Sequence, residues 1–242
     1  KLFLADKQDR TVLLTKGNAE SDTIWMVNNE YEASQPMVNL LLETLNQMRI
    51  RQQVNKDAIP NVIKNISSSN VKCEVYQRVP FINWFGGRLQ LFFREKKTVT
   101  YYVGNETRDN MGNFIFREGD KVPYIVHIPG FRGFLAPRFV TDASLLRSHR
   151  IVNLNVKQIQ QVSLEITADQ SQSFAINRVS NGFEFQLMQS KQVVPNFDTA
   201  RVAQMLLSFN NLNFDEFANK VPKAELDTTF NRPPSTILTI TD

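Results

Sequence analysis

Groups that could do chemistry are sparse in this sequence: two histidines, His127 and His149, one cysteine, Cys73, and a few closely spaced carboxylates. His127 falls in residues 124–128 (YIVHI) on the phase opposite Tyr124, Val126 and Ile128. His149 stands between Arg147 and Arg150, two cations that oppose its protonation. Cys73 occupies the apolar phase of residues 71–75 (VKCEV), where a buried thiol is the simple reading. A nucleophilic role would need an activating base that the sequence does not place. Two histidines and one cysteine do not make a zinc-ligand set. Asp6/Asp9 and Asp109/Asn110 lie in turns, but without calcium-loop spacing they read as solvated turn carboxylates. Glu30 and Glu32 flank Tyr31 with the spacing of an ordinary solvated strand face. No Gly-x-Ser-x-Gly elbow is present. Gly86-Gly87 lacks a following Lys-Ser/Thr and precedes a strand, which makes it a hairpin turn and not a phosphate cradle. No catalytic residue, metal or cofactor is therefore expected, and the chain reads as a non-enzyme.

The remaining residues that could act do so through contact area and charge. Residues 79–87 (VPFINWFGG) and 131–139 (FRGFLAPRF) interleave aromatic rings with Arg on irregular backbone, the composition of partner-binding surfaces. Trp84, Phe85, Arg88, Phe131, Arg132, Phe134 and Arg138 are the candidate interface, provided that the two segments join in one exposed patch. The competing expectation is that Phe81, Trp84, Phe131 and Phe134 fold inward as core. The formal charge of +4 is unevenly spread, with 12 Lys+Arg against 6 Asp+Glu in residues 78–150. Such a basic middle attracts anionic lipid, polysaccharide or an acidic partner. It lacks the dense basic helix or stripe that nucleic acid would require.

What must position these groups is legible as a repeated pattern. Residues 11–15, 25–27 and the helical stripe Val38, Leu41, Leu42, Leu45, Met48 recur about 164 residues later as 173–177, 183–185 and Val202, Met205, Leu206, Phe209, Leu212. Strand-like residues 71–75 recur as 236–240. So long a period indicates a duplicated module and not a solenoid. The predicted helices cover residues 36–50, with Ser34 as cap and Pro36 in the first turn, and 199–212; a shorter one runs over 57–66. Residues 71–128 switch to period two and predict an antiparallel meander, with turns at Lys96-Lys97 and residues 118–120. The expected class is α+β: a duplicated strand-strand-helix-strand module with a β-meander in its middle. The first copy spans 1–158, including the meander and a Pro/Gly/Phe-rich loop, and a second, incomplete copy spans 159–242. With 42% hydrophobic residues and 18 Phe, the 242 residues suffice for a sizeable core. The lone cysteine excludes an internal disulfide, and no apolar run reaches the ~18 residues of a membrane span. The sequence begins at Lys1 without Met, as a processed or trimmed chain would, and shows no signal-peptide pattern there.

Residues 25–27 (WMV), the helix at 38–45, residues 101–104 (YYVG), 112–117 (GNFIFR), 122–126 (VPYIV), 145–147 (LLR) and 159–165 together resemble the DUF4340 proteins of bacteria, from about Thr11 onward. One departure is residues 67–70 (SSSN), which replace the Gly-Leu-x-x-Pro of that pattern before the post-helix strand. The resemblance implies an extracytoplasmic domain on the periplasmic side, following one N-terminal membrane helix, in proteins auxiliary to ABC-type transport or gliding systems. It implies a protein partner in the cell envelope and brings no catalytic residues. The leading expectation is thus a non-enzymatic interaction module tethered to the membrane. The alternatives are a binding domain for an anionic glycan or lipid headgroup, and an unrecognised hydrolase.

Overall fold

Leu2, Leu4, Val12 and Leu14 alternate with more exposed neighbours, the period of strands with one buried face. In the computed structural model, which describes residues 1–17, 24–84, 89–219 and 221–242, they form β1 (Leu2–Ala5) and β2 (Thr11–Lys16), paired antiparallel. The chain divides into two compact units, Lys1–Ser148 and His149–Asp242. The first continues with β3 (Trp25–Val27), β4 (Tyr31–Glu32), α1 (Gln35–Gln47), β5 (Arg49–Gln53) and α2 (Ile59–Ser68). Then come β6 (Val71–Trp84), β7 (Leu89–Glu106), β8 (Asn113–Arg117), β9 (Tyr124–His127) and the short α3 (Ala143–Leu146), capped by Asp142. Its nine strands lie in the order β4-β3-β2-β1-β6-β7-β8-β9-β5. The second unit holds β10 (Arg150–Val152), β11 (Gln161–Ile166), β12 (Phe174–Val179), β13 (Gly182–Leu187), α4 (Thr199–Ser208), β14 (Leu212–Asn213), α5 (Lys223–Phe230) and β15 (Thr236–Thr241). β13-β12-β11-β15 form one sheet, while β10 and β14 pair separately.

The fold is α+β and the duplication is visible in its topology. β3-β2-β1-β6 with α1 and β13-β12-β11-β15 with α4 share strand order, all-antiparallel pairing and the position of the helix in the chain. At the centre of the first unit Leu4 lies opposite both Val12 and Cys73, and all three are fully buried. In the second unit Val162 lies opposite both Ile176 and Ile240. Each copy therefore has one more strand than the sequence pattern contains, β1 and β11, and that strand is the central one. The helices start at Gln35 and Thr199, the predicted spacing. Val38 and Val202 both meet their cores at that spacing, whereas the buried Leu41 and Thr44 correspond to Leu206 and Phe209 one residue further on, Phe209 standing just past the end of α4. Both stripes pack into their own core.

Several boundaries differ from expectation for identifiable reasons. Residues 49 and 50, predicted as the end of α1, leave the helix and with residues 51–53 form β5, which pairs with β9 at the sheet edge. α2 starts at Ile59 behind a single 3-10 turn, and α4 hands over to another at residues 209–211. Residues 149–158 join the second unit, where β10 pairs with β14 and His149 stacks on Phe214. Residues 118–120 do turn between β8 and β9. There is no turn at Lys96-Lys97: both residues continue β7, opposite Gln77 and Tyr76 of β6. Adjacent lysines are poor strand formers on a half-buried surface, but a strand exposed on both faces places no apolar demand on either position. The hairpin spacing of residues 11–15 and 25–27 puts a turn at Gly17-Asn18-Ala19, of which Asn18 and Ala19 lie outside the described residues.

Two glycines of the family-like motifs are fixed by close approach. A Cβ on Gly104 would stand 2.7 Å from Ile66 Cγ1 of α2, and one on Gly112 would stand 2.7 Å from the backbone oxygen of Val126.

Candidate functional site

Cys73, His149, Asp6 and Asp109 are each engaged by the structure. Cys73 sits in the central triad, and burial pushes its thiol up to about 12. His149 stacks on Phe214 with ring centroids 4.7 Å apart and meets the edge of Phe217 at 5.1 Å. The Asp6 carboxylate accepts from the backbone N–H groups of Gln8 and Arg10, from Arg10 Nε at 2.7 Å and from Thr141 Oγ1 at 2.7 Å. Burial alone would raise its pKa, but these bonds bring it down to about 2. Asp109 is likewise held down to about 2, by Thr107 Oγ1, Arg51 and the Met111 N–H. Both carboxylates are thus committed to turns and ion pairs. Among the described residues no three His, Cys, Asp or Glu side chains cluster as a metal site.

The two aromatic segments do not join. Residues 131–139 fold against the far end of β7: the Leu135 N–H donates to Asn113 Oδ1, and Asn113 Nδ2 donates to Gly104 O. Ala136 and Pro137 share a cleft with Gly104 and Asn105. Leu135 and Phe139 are buried in the main core. Of the candidate residues here, Arg132 is exposed, while Phe131 and Phe134 are 37% and 39% exposed. Arg138 stacks over the Phe131 ring at 4.2 Å and donates to Thr44 Oγ1 of α1, which fixes it to the fold. Trp84 lies at the opposite end of β7, paired with Leu89. Fifteen residue steps separate Leu89 from Gly104, about 50 Å of strand. A single patch bordered by Arg132 and Arg138 is therefore excluded.

What stands at the Trp84 end is a projecting two-stranded ribbon. β1 accompanies β6 only as far as Val75, and β8 accompanies β7 only from Tyr101. Beyond these points residues 76–84 and 89–97 pair with each other, with no third strand among the described residues. Eight steps from Tyr76 to Trp84 give a reach of about 26 Å. Phe81 (64% exposed), Trp84 (60%), Phe92 (72%), Phe93 (48%) and Leu91 (42%) project from it. The expectation of inward-folded rings fails here, because among the described residues no sheet or helix covers the ribbon. Phe85 and Arg88 lie outside the described residues, as do Gly86 and Gly87.

Alternation distributes this apolar surface over both faces. Pro80 opposite Phe93 and Ile82 opposite Leu91 define one face, which also carries Trp84. Val79 and Phe81 belong to the other. Each face carries an arginine over a ring, Arg78 at 5.7 Å from the Phe93 centroid and Arg94 at 5.0 Å from Phe81. Neither arginine has a carboxylate partner among the described residues. At the root, Lys97 reaches Glu118 and Glu74, and Lys1 bonds Glu95 at 2.6 Å while its backbone nitrogen donates to Tyr76 O. Phe92 has φ of +54°, a left-handed conformation rare for a bulky side chain. Sequence reading names Trp84 and Phe85 but passes over Phe92 and Phe93, assigned to an ordinary meander strand. The missed signal is the apolar residue in both phases, Leu91, Phe92 and Phe93 in succession, which a strand with one solvated face does not show.

No family model, no curated protein and no solved structure matches this chain.

Proposed function

We propose that this chain is a non-enzymatic interaction module of the cell envelope, held at the extracytoplasmic membrane face by a segment before Lys1, which docks through its β6–β7 ribbon. The ribbon carries the reading: five large apolar side chains stand exposed on about 26 Å of strand that contributes nothing to any of the three core clusters. Apolar surface concentrated this way marks an interaction site, whereas scattered exposed residues do not. The placement at the envelope, and a role auxiliary to transport, rest on the resemblance to DUF4340 proteins. Lys1 pairs with Tyr76 and Glu95 at the ribbon root. A tether entering there would bring the ribbon and the membrane to the same end of the sheet.

The test is sedimentation of the chain with washed envelope membranes. The triple variant Phe81→Ser, Trp84→Ser, Phe92→Ser should lose association while keeping the wild-type melting temperature. Equal recovery of a folded variant and the wild type would refute the reading.

A further inference from the structure

Resting on that reading, we propose that the occupant of the ribbon is an anionic lipid bilayer: the apolar tip enters the headgroup–acyl boundary and the arginines at its root bind lipid phosphates.

Two independent features support a bilayer. The first is that rings and aliphatic side chains occupy both faces of a ribbon only two strands wide. A protein surface covers one face of such a ribbon and leaves the other apolar face in water, whereas a lipid interface surrounds the tip on all sides. The second is charge. Residues 76–97 hold five of the 28 basic residues and one of the 24 acidic ones, which leaves 23 of each in the rest of the chain. The whole formal excess of +4 therefore belongs to these 22 residues. Arg78 and Arg94 stand on opposite faces, so the cationic collar, like the apolar tip, has no preferred side. From the Val79–Arg94 pair to the Trp84–Leu89 pair is five residues, about 17 Å along the strand. An inclined ribbon with its arginines at the phosphates would put its tip roughly 10 Å deeper, the depth at which interfacial elements bury their apolar side. The outer edges of both strands carry unpaired backbone groups that need water, which stops entry there and excludes spanning. A second copy of the chain fits the ribbon poorly, because tip-to-tip pairing would bring two sets of like charge together.

Trp84 reports the event directly. The chain has two tryptophans, and Trp25 is buried in the core, so a change in emission on adding vesicles comes from Trp84. Vesicles of phosphatidylcholine with about a third phosphatidylglycerol should shift its emission to the blue, and lipids brominated near the top of the acyl chain should quench it. Phosphatidylcholine alone should bind at least tenfold more weakly. Arg78→Gln with Arg94→Gln should weaken binding to anionic vesicles about 25-fold, taking about fivefold per cation. Absence of any Trp84 response to anionic vesicles overturns the proposal with no variant needed. If envelope membranes still bind and the ribbon variant still fails on them, docking stands and the occupant is a protein. Loss of envelope binding after protease treatment of the membranes would say the same. Equal binding to neutral and anionic vesicles, or a concentration-dependent dimer abolished by the ribbon substitutions, also overturns it.

Discussion

Replacing Cys73 by valine should change stability at neutral pH by less than about 1.5 kcal/mol and remove a component of alkaline unfolding. Cys73 lies between Leu4 and Tyr101 in register with no solvent exposure, at the position that Ile240 occupies in the second module. Burial raises the thiol from 9.0 to about 12. An acid that is weaker in the folded state keeps its proton there after the unfolded chain has lost it. Its contribution to stability is therefore complete below about pH 9 and falls as pH rises toward 12, by about 1.4 kcal/mol per pH unit. At pH 11 the deficit is on the order of 3 kcal/mol. Tyr76 and Tyr101 are also raised, the first chiefly by its hydrogen bond to Glu74 and the second by burial, and they act in the same direction. The measurement is therefore the difference between wild-type and Cys73→Val urea midpoints from pH 7 to 11, in which Tyr76 cancels and Tyr101 enters only through its coupling to Cys73. The valine variant should gain on the wild type from pH 9 upward. At pH 8 the folded thiol is ionised to about one part in 10⁴, so a disulfide reagent should label it at the rate of chain opening. Parallel midpoint curves, or rapid labelling of the folded chain, would refute the burial reasoning and reopen Cys73 as a nucleophile.

Gly112→Ala should destabilise by about 1–3 kcal/mol, because its Cβ would press on the Val126 carbonyl, which belongs to the sheet and cannot yield. Gly119→Ala meets no atom within 4 Å and is strained only by its φ of +92°, so it should cost about 1 kcal/mol. Urea midpoints that fail to rank the two in this order would contradict the packing described. Asp6→Asn should destabilise above about pH 4 and converge with the wild type as pH falls toward 2. The folded carboxyl is held down to about 2, so its contribution is present above the unfolded value and disappears on protonation. Midpoints that stay separated at pH 2 would show that the carboxylate charge is not what Asp6 contributes.

Most parts of the fold that bury an apolar face were legible in the sequence; the central strands β1 and β11 bury theirs too but are missing from the repeated pattern. Residues 11–16, 25–27, 35–47 and 199–208 all place their stripe or alternating phase in a core, and those became β2, β3, α1 and α4. Elements that bury little carry no such signal. β5 is exposed along its whole length and forms through its ladder to β9, and α5 buries no residue. The same limit governs the candidate site. The aromatic content of residues 79–87 was readable, but whether rings point inward depends on whether a neighbouring element faces them, and that is a property of sheet topology. Read locally, residues 131–139 have the same composition, yet Leu135 and Phe139 became core because β8 supplies a partner for the Leu135 N–H.

The innermost position of β1 and β11 has a consequence for biogenesis. Each is made before its module's other strands, and each is flanked by the next strand and by the module's closing one. Leu4 must wait for Cys73, 69 residues later, and Val162 for Ile240, 78 residues later. At ribosomal speeds of about 5–20 residues per second, that leaves one ladder edge of β1 open for roughly 3.5 to 14 s on a nascent chain. During that interval the β1–β2 hairpin exposes Leu2, Leu4, Val12 and Leu14 beside unpaired backbone. Nascent-chain mispairing along that edge is the characteristic hazard of such an order of synthesis, and β6 and β15 are the segments that end it in their respective modules.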